Sequence, residues 1–514
     1  MIAPTAFGAA SASRSLSSPH DHFDGLVAAT PMSPLIADQV KPRVVTLRSG
    51  FVRQTIEFLI ALSLAIMVFR TFTAEAYVVP TGSMAPTLLG NHEEVACPSC
   101  GIRFALGIDE DGRAGQPVCP NCGEDKLDGV PIVPCSGDRL LVQKGLYDFK
   151  RPRRWEVAVF HFPAEPTQAY VKRVVGLPGE SIQILRGDIY INGKIARKSL
   201  QEQRAIRIPV YDSQYVSQDA NRVPRFIFRH GRPQSGLTSA WRTEGPLLIH
   251  DPAEATENAT DWVEYRHRDP DRAQYTPIYD FNPYNGGELR GENRVPDLML
   301  EARLIVGNDV PTVDVRLNSG ADRFLITLPF HEDALPQVRR NNQAVALAHA
   351  VPIPSTPGTP PSSRVLEASI MDHRLSVSLD GVPLFDPVDY DNPAVGYGSD
   401  VSPIGVGVRR GSLTIERFKV FRDVYYTSAL ANTPKRPFGV DEPYKLGLDS
   451  FFVLGDNSSV SNDSRFWSSS PVVRGDLFLG KPFLVHLPGQ VVPLKVFGRS
   501  VYWVPDPREI RYIR

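Results

Sequence analysis

Four stretches of this sequence hold residues whose types could do chemistry. In Tyr77-Val-Val-Pro-Thr-Gly-Ser-Met-Ala-Pro-Thr-Leu88, Pro80 and Gly82 bracket Thr81. That predicts a turn closing a short strand, Ala76–Val79. Ser83 would then be exposed, held by backbone and flanked by N–H groups that can face one point. Those are the needs of a nucleophile. A lone serine between Gly and Pro is more often just a capped turn, so other residues must decide.

The second stretch is Tyr170-Val-Lys-Arg-Val-Val-Gly-Leu-Pro-Gly-Glu180. On a strand, Lys172 and Val174 share one face, and Val171, Arg173 and Val175 the other. A lysine among valines is either an edge gatekeeper or a buried amine. An ordinary lysine, with a pKa near about 10.4, is a poor base at neutral pH. Burial can lower that by about 3–5 units. Such an amine could take the proton of Ser83 without a histidine. No His lies in these stretches, and the one nearest Lys172 in the chain, His161, reads as a strand residue. The third stretch, Gly455-Asp-Asn-Ser-Ser-Val-Ser-Asn-Asp-Ser-Arg465, is a polar loop after an apolar strand.

The fourth is a pair of knuckles, Cys97-Pro-Ser-Cys100-Gly and Cys119-Pro-Asn-Cys122-Gly, eighteen residues apart. Thiolates at this spacing can converge on one ion, and two knuckles complete a tetrahedron, as in a zinc ribbon. Two disulfides are the alternative if the loop lies in an oxidising space. Either role is structural, because four thiolates leave no open position for chemistry.

Around these stretches, 514 residues are enough for two or three domains. A net charge of −1 gives no reason to expect nucleic acid. Abundant Pro and Gly favour strands and loops over long helices. Residues 1–50 are rich in Ser, Ala and Pro and read as a disordered tail. Lys41, Arg43, Arg48 and Arg53 then crowd toward the apolar run Thr55–Thr73. Its uncharged core, Phe58–Phe69, is shorter than the roughly 20 residues of a span. A buried amphipathic helix and a cleaved signal peptide, cut near Ala74-Glu75-Ala76, are both rivals. The stretch before the run is too long for a signal n-region, which favours an uncleaved anchor over residues 54–73. Basic residues precede it, so the N-terminus stays cytoplasmic and the rest crosses.

Residues 138–200 alternate as strands, with Asn192-Gly193 as a hairpin turn. Residues 201–440 have many short strands between Pro-rich loops, the texture of a sandwich. Within them Ser412–Phe421 alternates cleanly. The part from Val365 to Phe421 resembles the closing strands of a concanavalin-like or laminin-G-like jelly roll. Residues 451–514 return to the earlier style.

Ser83-Met-Ala-Pro-Thr-Leu88, Gly137-Asp-Arg-Leu-Leu-Val142, Tyr170–Glu180 and Gly455–Arg465 resemble, in order, the four boxes of bacterial type I signal peptidase. The resemblance covers roughly residues 76–200 and 445–490. It implies a mainly β fold: an antiparallel catalytic domain after one transmembrane helix. That domain would be split into 74–200, with the cysteine insert at 97–122, and 441–514, by a jelly-roll-like sandwich at 201–440. It implies Ser83 as nucleophile, Lys172 as general base, and the Ser83 N–H with the Thr81 hydroxyl as oxyanion hole. Ser461 would hold the Lys172 amine by a hydrogen bond. Asp463 would pair with Arg173 and Arg465, while Asp456 and Asn457 shape the loop. Taken as an exposed pair, Asp463 and Arg465 would contribute only about 0–1 kcal/mol. No cofactor is implied for catalysis, only a structural zinc at the four cysteines. The implied partners are signal peptides of exported preproteins, membrane lipid and the secretion machinery. The implied place is the inner membrane, single-pass, with the catalytic part outside. Arg154-Trp155-Glu156 stands where the family usually has Arg-Gly-Asp, which puts a turn in doubt. Two other functions compete. A soluble self-cleaving Ser/Lys repressor would need a helix-turn-helix, which residues 1–70 lack. A membrane-anchored binding protein would have the lectin-like insert as its working part.

Overall fold

The structure is a computed structural model. It describes residues 50–513 apart from short stretches, the longest being 231–237, 252–258, 354–362, 392–400 and 429–436. The predicted tail, save Gly50, lies outside the described residues. The chain divides into Met1–Leu62 and Ser63–Arg514, and the helix Phe51–Phe72 runs from one into the other. At 1.5 Å per residue, its 22 residues are about 33 Å long. Residues 51–67 are all exposed, including Phe58, Leu59, Ile60, Leu64, Ile66 and Met67. Arg53 and Glu57 pair one turn apart at 2.7 Å. No helix among the described residues is long and apolar enough to cross a membrane.

The rest is mainly β. One antiparallel sheet runs in the order Ala74–Val78, Arg139–Lys144, Phe478–Val485, Val157–Phe162, Glu165–Gly176, Ser450–Leu454, Val473–Arg474. It unites chain segments from before and after residues 201–440. Its central strand is apolar at consecutive positions because both of its faces are covered. Val157 and Val159 enter a core with Val79, Met84 and Leu88. Ala158 and Phe160 enter another with Val174, Phe451 and Trp467. A four-stranded sheet follows, its hairpin closed by Asn192 and Gly193, both at positive φ as a type I′ turn needs.

Among the described residues, 208–422 supply a nine-stranded and a seven-stranded sheet, and no strand to the first sheet. Leu300, Leu304 and Phe418 from one sheet meet Val263, Val315 and Val406 from the other in a single core. The clean alternation expected over Ser412–Phe421 is broken. Arg417 faces Arg303, but Ile415 faces Leu304, leaving Glu416 as an extra residue. This bulge lets Leu413 and Ile415, then Phe418 and Val420, all point inward.

Candidate active site and cysteine cluster

Ser83 sits in a three-residue 3₁₀ turn, Gly82–Met84, just after the strand Ala74–Val78. Lys172 sits on the strand Glu165–Gly176. The two are 89 residues apart, and Lys172 Nζ donates to Ser83 Oγ at 2.7 Å. Both are buried, at 8% and 5% exposure, which corrects the expectation of an exposed serine. The turn is covered by the loop that begins at Gly455. A Cβ on Gly455 would come within 2.4 Å of Ser83 O, so only glycine lets the loop pass so close. Burial pulls the Lys172 amine down to about 8, against the upward pull of Asp463 and Asp456. An amine poised there can be neutral near physiological pH and accept the hydroxyl proton. Thr81 Oγ1 lies 3.5 Å from Ser83 Oγ, at the limit of hydrogen-bond reach.

Parity puts Arg173 on the face opposite Lys172. There it donates to Trp155 O at 2.6 Å and to both oxygens of Asp456, at 2.7 and 2.6 Å. Asp456, not Asp463, is therefore its carboxylate, a correction to the expected pairing. Asp463 does hold Arg465, at 2.8 and 2.9 Å, and both are 0% exposed, so this is no surface pair. Arg465 also donates to Ser458 Oγ and to Thr427 O, which closes the loop on itself. Ser461 is buried, yet its hydroxyl has no hydrogen-bond partner among the described residues, so the expected bond to Lys172 is not made. Its Oγ is instead crowded against Gly455. Asn457 acts directly on the Gly82–Met84 turn: its N–H donates to Ser83 O and its Nδ2 to Gly82 O, each at 3.1 Å.

The doubtful turn at Arg154-Trp155-Glu156 is formed with Trp155 at φ 70°, a region that favours glycine. The Trp155 ring is buried with Val175 and Leu454, and Lys198 Nζ lies 4.7 Å from its centre. Packing of a large ring offsets the backbone strain. Two residues that sequence reasoning did not single out also reach the Ser83 turn: Tyr284 lies against Gly82, and Asn282 accepts from Asn457, which bonds Gly82 and Ser83. Nothing in the local pattern Phe281-Asn-Pro-Tyr284 marks them beyond turn chemistry.

The four sulfurs of Cys97, Cys100, Cys119 and Cys122 lie within 4.8 Å of one another. Both knuckles have the same backbone: Gly101 N–H bonds Cys97 O, Gly123 N–H bonds Cys119 O, and both glycines have positive φ. Cys97 and Cys122 sulfurs are 3.6 Å apart, Cys100 and Cys119 3.7 Å. A disulfide needs about 2.05 Å, and all four cysteines are unbridged. Sulfurs held about 2.3 Å from one zinc stand about 3.8 Å apart, so the spacing fits that ion. The second knuckle docks on the 201–440 stretch. Asn121 donates to Tyr215 O at 2.9 Å and accepts from Asp212 N–H, while Arg225 donates to Asn121 O.

Residues 134–231 match the family model described as signal peptidase, peptidase S26. That range holds Lys172 and Arg173, while Ser83 and Gly455–Arg465 lie outside it. The chain is 32% identical over 149 residues to signal peptidase I of Leptolyngbya laminosa, covering 27% of this chain and 49% of that protein. It is 33% identical over 136 residues to signal peptidase I of Pseudomonas aeruginosa, covering 26% and 36%. The chain thus spans half or less of the length of these relatives. Among solved structures, a Bacillus subtilis protein of unknown function with a galectin-like fold is 10% identical, with a TM-score of 0.26 over 41% of this chain and 95% of that one. Over residues 134–231, where the lysine strand lies, this chain is similar to the signal peptidases of peptidase family S26.

Proposed function

We propose that this chain is a membrane-bound serine endopeptidase that removes signal peptides from exported preproteins. The observation that carries the reading is the 2.7 Å contact between Ser83 Oγ and a buried Lys172 amine. Neutral Lys172 takes the Ser83 proton as Oγ attacks the scissile carbonyl. The Ser83 N–H and Thr81 hydroxyl face the developing oxyanion. Collapse expels the amine of the mature protein, which takes the proton from Lys172. A water, deprotonated by Lys172, then attacks the acyl-enzyme; collapse breaks the bond to Ser83 Oγ, which takes the proton back from Lys172, and releases the signal peptide's new C-terminus. The substrate lies extended beside Ser83, bonded as an added strand, with small side chains at the first and third positions before the cut.

In this reading the catalytic part comprises residues 74–200 and 441–514, and 201–440 is an inserted jelly-roll-like sandwich. The anchor in this reading is the helix Phe51–Phe72, whose residues 51–67 are all exposed, held at the inner membrane. Its Arg53–Glu57 pair lowers the cost of two charges near the interface. The four cysteines hold a structural zinc that ties the two knuckles together. Protein purified without added metal should carry about one zinc per chain. Cys119→Ser should lose the metal and lower the thermal midpoint. A ratio near zero in the wild type would remove the zinc.

The testing experiment is cleavage of a model preprotein with an Ala-x-Ala site by the detergent-solubilised full chain, with Ser83→Ala beside it. Cleavage after the second Ala by wild type alone is the expected result. Cleavage by neither, or equally by both, would overturn the reading.

A further inference from the structure

The nucleophile turn is held partly by a segment that none of the four boxes supplies. Tyr284 lays its ring on Gly82, the residue before Ser83: a Cβ at Gly82 would come within 2.2 Å of the ring, and one at Gly107 within 2.3 Å. Tyr284 Oη donates to Asn91 O at 2.6 Å, and Gly107 N–H donates to Tyr284 O at 2.9 Å. Tyr284 is thus pinned between the turn and the strand Arg103–Asp109 of the cysteine insert.

Asn282, two residues earlier, is buried. Its Oδ1 accepts from Tyr284 N–H at 2.9 Å and from Asn457 Nδ2 at 3.1 Å. The same Nδ2 donates to Gly82 O, and Asn457 N–H donates to Ser83 O. A continuous chain of contacts therefore runs from the long insert, through Asn457, to the carbonyls of the Gly82–Ser83 peptide and of the peptide that follows it. Glycine at 82 leaves that peptide the freest point of the turn. The Asn282 amide fixes its donor, and the Tyr284 ring occupies the space into which Gly82 would swing.

We infer that Asn282 and Tyr284 are positioning residues for Ser83, so that the long insert completes the peptidase site. This rests on the reading of Ser83 as nucleophile. The insert's contribution is geometric. Ser83 Oγ must stay within reach of both the Lys172 amine and the scissile carbonyl, and a misplacement of about 1 Å costs on the order of 100-fold in rate.

The test measures kcat and KM for preprotein cleavage by the full chain carrying Asn282→Ala, Tyr284→Ala, Tyr284→Phe, Asn457→Ala, or Asn282→Ala with Asn457→Ala. Thermal midpoints serve as the check on folding. Asn282→Ala and Tyr284→Ala should lower kcat about 10- to 100-fold with KM within about 2-fold. Tyr284→Phe keeps the ring on Gly82 and should stay within about 3-fold of wild type. Because Asn282 acts through Asn457, the double variant should be no slower than Asn457→Ala alone. Wild-type kcat in Asn282→Ala would overturn the inference, as would losses that multiply in the double variant. Should Tyr284→Ala fail to fold, Asn282→Ala with the double variant decides. If the wild type itself does not cleave, the peptidase reading fails and this inference falls with it. If the wild type cleaves and Asn282→Ala cleaves as fast, only this inference fails.

Discussion

Replacing Lys172 with methionine should lower kcat for preprotein cleavage by at least about 100- to 10,000-fold, the range that a general base contributes. Methionine fills similar space in a site where the lysine is only 5% exposed, so the fold should survive. Lys172→Arg should fail as completely, because a guanidinium does not give up its proton. The pH profile carries the same argument. With Lys172 as general base the reactive form is the neutral amine, and burial holds its pKa at about 8. Wild-type kcat should therefore rise with pH up to about 8 and then level. Stability follows a related course. The unfolded lysine titrates at about 10.5, so between about 8 and 10.5 the unfolded chain binds the extra proton. The wild type should gain stability as pH rises through that window, and Lys172→Met should lack this gain. Wild-type rates in Lys172→Arg, or a pH profile flat from about 6 to 9, would remove the general-base role.

Much of the sheet was legible because its strands alternate, and parity alone separated Lys172 from Arg173. The partners of those side chains were not. Asp456 and Asp463 stand in one polar loop, both able to meet an arginine, and no local pattern says which faces the back of the lysine strand. The chain decides by path: the bond of Gly455 N–H to Asp463 turns Asp463 toward its own loop, while Asp456 faces Arg173. The burial of Ser83 was hidden for a like reason. Pro80 and Gly82 announce a turn, but the loop that covers it comes more than 370 residues later. Glu416 shows a further limit. A bulge exchanges the two faces within one strand, and apolar residues on both sides of it still look like simple alternation. Asn282 and Tyr284 were illegible altogether, since each is an ordinary turn residue until the fold lays Tyr284 on Gly82 and joins Asn282 to Asn457.

Asp456→Ala should be among the most destabilising single changes in the chain, costing about 3–5 kcal/mol. Arg173 and Asp456 are 1% and 0% exposed, so neither can turn to water when the other is lost. Burial pushes the Arg173 guanidinium toward neutrality, but the charge and hydrogen bonds of Asp456 raise it again, so it stays charged. Removing Asp456 leaves that charge with only backbone carbonyls, chiefly Trp155 O. It also frees Thr87, whose hydroxyl donates to Asp456 at 2.5 Å, four residues beyond Ser83. Against typical total stabilities of about 5–15 kcal/mol, this is a large share. The penalty comes from the stranded charge more than from the lost pair, which gives a sharper expectation. Arg173→Met with Asp456→Leu should recover much of the urea midpoint that Asp456→Ala loses, while Arg173→Met alone, which strands the carboxylate, should not. An unchanged midpoint in Asp456→Ala would mean that this ion pair does not hold the lysine strand to the closing loop. A double variant no better than Asp456→Ala would instead place the loss in the contacts to Thr87 and Trp155. In either case the link from strand to loop would rest on the pairing of Leu454 with Arg173 and on the bonds of Asn457 to the Gly82–Met84 turn.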